Sequence, residues 1–435
     1  MIRSAPDMSQ LLDDLKYRGQ FHQATSDAEG AGLALHLETG SRVVYAGFDP
    51  TRDSLTVGNL MQIILLQRFQ RAGHRPVVVM GGGTGMIGDP SGKESERPVL
   101  SKEQIAFNVG RQRAIMESLL EFEGTNAATL LDNASWLGPI SFLDMLRDVG
   151  KHFSVNMMIQ KDSVRERLSS REQGISYTEF SYLILQSYDF LHLFDTHGVT
   201  IQVGGSDQWG NIVSGVELIR KKRQAEAFGL TVPLLTKSDG GKFGKSESGA
   251  VWLTADRTSP YAFHQFWLNT SDADVVRLLK AYTFFDREKI EAISAEHTQA
   301  PERRVAQRAL ADHMTELVHG SAALEKAQRA RDALFSGDVS GLDAESLAQV
   351  FHDAPSSQHA KTELAGAGAE LVELLVRAGV ASSKREARQL LESGAISVNG
   401  EKVGLDRRLL DIDLLHGNMA LVRRGRKNWH VLRFA

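Results

Sequence analysis

The run Val43-Val-Tyr-Ala-Gly-Phe48, closed by the turn-forming pair Asp49-Pro50, decides how the chain folds. It is short and β-prone, and Asn59 to Ala72 behind it places Leu60, Ile63, Ile64 and Leu66 at helical spacing. Next comes Pro76-Val-Val-Val-Met80, an apolar run ahead of a glycine cluster, as a parallel strand buried on both faces requires. Working outward, a helical stretch is predicted from Lys102 to about Phe122, strands at Thr129–Leu131 and Val199–Val203, and a helix from about Asp207 to Lys222. Strands alternating with helices predict an α/β fold with a doubly wound parallel sheet.

The pattern then changes. From about Ser259 to Leu334 it is helical, charged and poor in glycine, while Ser356 to Ala369 is rich in Ser, Ala and Gly and is expected to be a linker. A compact basic unit closes the chain, with helices expected at Leu371–Ala378 and Lys384–Ser393 and a hairpin from Ile396 to Val403 turning on Asn399-Gly400. A chain of 435 residues is too long for one hydrophobic core, which agrees with several domains.

Composition excludes some chemistry. There is no Cys, so disulfides, thiolate catalysis and cysteine-ligated metal sites are ruled out, and the cytoplasm is the expected compartment. No run of eighteen apolar residues occurs, and Met1 to Lys16 has no apolar core of the kind a secretory signal needs. Residues 371–435 hold 12 Lys and Arg against 7 Asp and Glu, a local +5, so the rest carries −9 of the overall −4. A basic tail on an acidic body fits a polyanion partner, though a solvated charged surface gives the same count.

Five stretches carry chemistry. In Tyr45-Ala-Gly-Phe-Asp-Pro-Thr-Arg-Asp-Ser-Leu-Thr-Val-Gly-Asn59 a strand meets a helix start near Gly58, where unpaired N–H groups suit a phosphate and a missing Cβ admits a nucleotide. Gly81-Gly-Gly-Thr-Gly-Met-Ile-Gly-Asp-Pro-Ser-Gly-Lys93 is not a P-loop, because Glu94 follows Lys93 and Ile87 stands where the first glycine belongs. Its Asp89 can hold a substrate ammonium, and Lys93 and Arg97 can steer phosphates. In Tyr177-Thr-Glu-Phe-Ser-Tyr-Leu-Ile-Leu-Gln-Ser-Tyr-Asp189, the residues Tyr182, Gln186 and Asp189 share one helical face, which suits an amino acid bearing an ammonium and a hydroxyl. Gln202-Val-Gly-Gly-Ser-Asp-Gln-Trp-Gly-Asn211 puts Asp207 and Gln208 at a helix start beyond a strand. Lys242-Phe-Gly-Lys-Ser246 lies in a glycine-rich stretch read as a mobile loop, whose two lysines can close over a triphosphate. Taken singly, each has an ordinary structural alternative: a strand–helix corner, a structural loop, a solvated helix face, a capped helix or a common lysine–glycine loop.

Taken together and in order, the five resemble bacterial-type tyrosyl-tRNA synthetases. Tyr45 to Asn59 resembles the HIGH region of class I aminoacyl-tRNA synthetases and Lys242 to Ser246 their KMSKS loop, while Tyr177–Asp189 and Gln202–Asn211 resemble the tyrosine-binding helix and strand. Leu371 to Val403 is similar to the small RNA-binding fold first named from ribosomal protein S-four. The likeness runs from about Tyr45 to the C-terminus. It implies a Rossmann-like catalytic domain over 1–240 with an inserted dimerisation region at about 124–173, and a mobile loop over 241–250. It further implies an α-helical tRNA-binding domain over 251–350, a linker over 351–369 and an S-four-type domain over 370–435.

The resemblance also implies roles. Tyr45 and Asp189 would meet the substrate phenol, and Asp89, Tyr182, Gln186 and Gln208 the α-ammonium and its surroundings. Gly47, Asp49, Gly58, Asn59, Asp207, Lys245 and Ser246 would line the ATP site. Thr51, Lys93, Arg97, Lys242 and Lys245 would serve the phosphates in catalysis. The implied partners are L-tyrosine, ATP with accompanying Mg2+ but no dedicated metal site, tRNA(Tyr) through the basic tail, and a second copy of the chain as homodimer; neither membrane nor DNA is expected. Thr56 stands where the family usually has His. A tryptophanyl enzyme, a small-molecule adenylyl ligase and a non-catalytic RNA-binding relative remain the alternatives.

Overall fold

The computed structural model describes residues 10–26, 31–91, 100–161, 164, 165, 168, 174–236, 238, 240, 241, 243–246, 249–339, 341–352, 354–425 and 428–435. The chain forms two compact units, one of 1–258 with 267–314, the other of 259–266 with 315–435.

The first unit is built on a six-stranded sheet: β1 (Gln23–Ala24), β2 (Val43–Phe48), β3 (Arg75–Met80), β4 (Thr129–Asp132), β5 (Val199–Gly205) and β6 (Phe228–Val232). Its spatial order is β1-β6-β5-β2-β3-β4, all neighbours parallel except the antiparallel pair β1–β6. The four strands expected from sequence are there. β1 and β6 are additions; β6 extends the parallel sheet, and β1, antiparallel to it, makes the sheet mixed. Both are hard to read in sequence, β1 for its two residues and β6 for the glycine that interrupts its apolar run.

Alternation explains why the central strands carry no polar face. Val43, Tyr45, Val77, Val79 and Val199 point into one core with Phe190, Leu191, Leu193, Leu218 and Ile219, from the helices Tyr177–His197 and Trp209–Arg223. Val44, Ala46, Val78 and Met80 alternate to the other face and are equally buried, where the helix Val57–Arg71 packs on β2 and β3. Strand order reverses between β5 and β2, and at such a switch point the crevice beyond the carboxyl ends of the strands is the place for a ligand.

A charged clamp joins the chain's beginning to the helix Asp272–Tyr282 within this unit. Arg18 donates to the carbonyls of Lys280, Thr283 and Phe285 at 3.2, 3.0 and 2.8 Å. Arg68 donates to those of Ala281 and Thr283 at 3.2 and 2.8 Å. Both guanidiniums are buried; burial pushes Arg68 down to about 9, which still leaves it charged near neutrality. They complete the backbone groups that a helix end leaves over, and with the Asp14 carboxylate 2.7 Å from Arg18 and 3.7 Å from Arg68, carbonyl and carboxylate oxygens replace the lost water.

The second unit holds the tail. A five-stranded sheet runs in the order Glu401–Lys402, Ile396–Val398, Met419–Arg424, Asn428–Phe434, Ser356–His359, the last pair parallel. The helices Leu371–Arg377 and Lys384–Glu392 cover it through Leu374, Leu375, Ala387 and Leu391. The stretch 351–369, expected as a linker, is instead part of this fold. Ser356–His359 pairs with the last strand, His359 lies against the Phe434 ring, and Leu364 enters the core. Its short polar strand is completed by a partner far away in sequence, which composition does not reveal.

The hairpin is as the sequence predicts. Val398 pairs with Glu401 across Asn399 (φ 49°) and Gly400 (φ 96°), the double positive φ that a two-residue turn needs. A Cβ on Gly400 would sit 2.3 Å from the Gly337 carbonyl oxygen and 3.1 Å from the Asp338 Cα. Gly400→Ala is therefore expected to destabilise the protein by more than about 1 kcal/mol. Gly404→Ala, where a Cβ meets nothing within 4 Å, should leave thermal unfolding unchanged. Equal unfolding curves for the two variants would contradict the packing described.

Candidate active site

The site lies in the first unit, at the carboxyl ends of β2, β3, β4 and β5. Tyr45, near the middle of β2, is buried to 1%, its ring 5.3 Å from that of Phe190. Its hydroxyl has no hydrogen-bond partner among the described residues. Asp189, also buried, arrives from the helix Tyr177–His197; its two carboxyl oxygens accept from Asn133 Nδ2 at 2.9 Å and Trp136 Nε1 at 2.7 Å. Burial raises Asp189 to about 7 against the pull of those donors, with Asp49 and Asp132 adding to the rise. Burial, and then Asp189 itself, push the Tyr45 phenol far above its usual value, so it is neutral and able to donate.

A second cluster sits on the other side of Tyr182. Gln208 Nε2 donates to Asp89 Oδ2 at 2.6 Å, and its own oxygen accepts from Gln186 at 3.3 Å and Asn211 at 3.2 Å. Asn211 also donates to Gln186 Oε1 at 3.0 Å. The Ser91 amide holds the other Asp89 oxygen at 2.9 Å. The two amides orient one another, and the buried Asp89 is the single carboxylate in this hydrogen-bonded set, so it suits a cation. Between the clusters, the Tyr182 hydroxyl lies 3.4 Å from both Asp49 oxygens, and Thr84 Oγ1 donates to Asp49 Oδ1 at 3.2 Å. Asn133 donates to Thr84 as well as to Asp189, so one amide links the two ends.

Gly47 is the one exposed position of β2, Thr51 stands exposed in the turn beyond it, and Gly58 is exposed in the first turn of the helix Val57–Arg71. Thr56 N and Oγ1 both reach Asn59 Oδ1, at 3.0 and 2.9 Å, so this pair caps the helix. Asp207 lies in the single 3-10 turn Ser206–Gln208 directly after β5.

The structure thus brings together Tyr45, Gly47, Asp49, Asp89, Tyr182, Gln186, Asp189 and Gln208 around the strand ends, with Thr51, Gly58, Asn59 and Asp207 on adjoining elements. Lys93, Arg97 and Lys242 lie outside the described residues. Lys245 and Ser246 are described as backbone, a short strand paired with Gly249–Ala250. Sequence reasoning missed Asn133, Trp136, Thr84 and Asn211. The first two follow directly on β4, and a polar residue at the carboxyl end of a parallel strand was the available signal. Asn211 stood inside a quoted stretch without a role.

A family model described as tRNA synthetases class I (W and Y) matches residues 38–336. Another, for the tyrosine–tRNA ligase SYY-like C-terminal domain, matches residues 346–432. The tyrosine–tRNA ligase of Geobacillus kaustophilus (strain HTA426) is 51% identical over 428 residues, 98% of this chain and 100% of that one. That of Roseiflexus castenholzii is 48% identical over the same shares. A solved structure of a C-terminally truncated mitochondrial tyrosyl-tRNA synthetase from Aspergillus nidulans has a TM-score of 0.68 at 30% identity, covering 75% of this chain and 94% of that one. The tyrosyl-tRNA synthetase of Archaeoglobus fulgidus complexed with L-tyrosine, 16% identical with a TM-score of 0.54, shares the fold. Two family models that between them reach from residue 38 to 432, and relatives about half identical over nearly the whole length, leave one assignment: the chain belongs to the tyrosine–tRNA ligases, class I aminoacyl-tRNA synthetases.

Proposed function

We propose that this chain activates L-tyrosine with ATP, giving tyrosyl-adenylate and diphosphate, and transfers the tyrosyl group to the 3' end of tRNA(Tyr). The observation that carries the reading is the buried pair Tyr45 and Asp189: a neutral phenol lacking a partner beside a carboxyl whose two donors leave lone pairs over. A substrate phenol accepts from Tyr45 and donates to Asp189. An indole offers no such oxygen, so a tryptophanyl enzyme fits less well. Asp89, oriented by Gln208 and with Gln186 and Tyr182 close by, takes the α-ammonium.

The remaining roles are proposed from the family resemblance. Gly47, Asp49, Gly58, Asn59, Asp207 and Ser246 line ATP, and the helix N-terminus at Gly58 faces its phosphates. Thr51, Lys93, Arg97, Lys242 and Lys245 meet the charge that develops as the tyrosine carboxylate attacks the α-phosphorus in line and diphosphate leaves. No side chain acts as covalent nucleophile, so positioning and charge stabilisation carry the rate. Mg2+ enters with ATP as part of the substrate.

The tail supports an RNA role. Arg385 and Arg388 are exposed on the helix Lys384–Glu392, whereas Lys384 pairs with Glu373, Arg424 with Glu386, and Arg423 lies over Trp429. The other two basic residues of this cluster, Arg426 and Lys427, are outside the described residues. A homodimer is proposed through 124–173, where Phe142, Leu143, Val155, Met157 and Ile159 are exposed on the single chain.

Four outcomes test this reading. Asp189→Ala should reduce the preference for tyrosine over phenylalanine by about 1.5–3 kcal/mol, tenfold or more; tyrosine-specific enzymes of this family are the standing example of rejection through an unpaired buried group. A phenol that donates to Asp189 stabilises its ionised form, so tyrosine binding should tighten as the pH rises towards about 7 and then level off. Asp189→Asn should flatten that profile, and an unchanged profile removes Asp189 from the role. Arg385→Glu with Arg388→Glu should weaken tRNA charging roughly tenfold and lower its salt dependence, with tyrosine-dependent diphosphate exchange intact; full charging would refute the tail's part. Sedimentation should find a dimer that dissociates only on dilution, and a monomer at every concentration would contradict it.

A further inference from the structure

Phe243, the second residue of Lys242–Ser246, is held by aromatic rings from elsewhere in its unit. Its ring lies 5.7 Å from Trp267 and 5.7 Å from Tyr282, and those two meet edge-on at 4.8 Å. Trp267 and Tyr282 are fully buried. The Tyr282 hydroxyl donates at 2.8 Å to the carbonyl of Val57, the first residue of the helix Val57–Arg71. About three turns further along that same helix, Arg68 holds the carbonyls on either side of Tyr282, those of Ala281 and Thr283. Gln20 donates to Ala281 as well, at 3.0 Å. Tyr282 is therefore fixed at its ring, its hydroxyl and its backbone.

The next residue makes the second contact. Gly244 has φ +87°, and a Cβ there would come within 3.0 Å of Val57 Cγ2 and 3.5 Å of the Gly58 amide nitrogen. The Val251 amide donates to the Gly244 carbonyl and the Val57 amide to the Val251 carbonyl, both at 3.0 Å, so the loop, the segment behind it and the helix start form one hydrogen-bonded stack. Thr56 and Trp252 extend it as a bridge.

We propose that Tyr282, with Trp267, is a positioning residue for adenylate formation: the pair seats Phe243 and so sets the backbone of 243–246 against the phosphate-facing start of the helix Val57–Arg71. A lysine two residues beyond Phe243 reaches a developing charge only if its backbone is placed to within a fraction of an ångström, and misplacement by about 1 Å can cost 10²-fold in rate. None of these groups belongs to β2, β5 or the helix Tyr177–His197, so tyrosine binding should not depend on them. The inference rests on the loop's proposed role in the chemical step, and the test separates the two.

Single-turnover adenylate formation and tyrosine affinity would be measured for four variants of the full chain. Lys245→Ala tests the loop's role and should slow the step. Phe243→Ala should slow it roughly tenfold or more with tyrosine affinity within about twofold, and Phe243→Tyr, which keeps a ring in place, should restore most of the rate. Tyr282→Phe keeps the packing, removes only the hydroxyl and should slow the step several-fold. If Lys245→Ala is slow while Phe243→Ala and Tyr282→Phe run like wild type, the positioning role is overturned and the loop's role stands. Normal adenylate formation in Lys245→Ala would overturn both. Parallel loss of tyrosine affinity in the aromatic variants would mark a structural role and overturn the proposal.

Discussion

Keeping a carboxyl group buried beside a phenol is the constraint on which the site depends. Asp189 is removed from water, and burial raises it to about 7 even with Asn133 and Trp136 donating to it. Either donor alone would leave an oxygen of a buried charge unsatisfied, which the fold could not tolerate cheaply. The helix carrying Asp189 and the segment after β4 carrying Asn133 and Trp136 are thereby fixed to one another. Asn133 extends the set through Thr84 to Asp49, so the ends proposed for the phenol and for the nucleotide share one network. Under the proposed function, such a network is specific because it is incomplete: a ligand bearing a hydroxyl finishes it, and one lacking it leaves groups unpaired.

The helix Val57–Arg71 organises the other half. Its start is capped by Thr56 and Asn59, a pair that occupies both side chains with each other. Thr56 stands where the family usually has His, and here it serves the helix end. The same helix carries Arg68, whose guanidinium binds the end of the helix Asp272–Tyr282, so its placement is tied to residues more than two hundred positions away.

What the sequence made legible follows from how local each signal is. Valine-rich strands buried on both faces, the helix with apolar residues at Leu60, Ile63 and Ile64, and the Asn399-Gly400 turn announce themselves within a few residues, and all stand where expected. Ser356–His359 does not, because a short polar strand is recognised only by the partner it finds in Asn428–Phe434. Phe228–Val232 was hidden by its glycine. Within the site, Tyr182, Gln186 and Asp189 could be placed on one helical face by spacing alone. Asn133 and Trp136 could not, since what makes them functional is the distance to a carboxyl group more than fifty residues away.

The proposed activity requires tyrosine to be the amino acid that completes the Tyr45–Asp189 pair and is then activated. The most direct measurement is ATP–diphosphate exchange by the full chain with each amino acid in turn. Exchange that requires L-tyrosine, and that phenylalanine and tryptophan fail to support at the same concentration, is the result the structure predicts. No exchange with tyrosine, or equal exchange with phenylalanine, would contradict it.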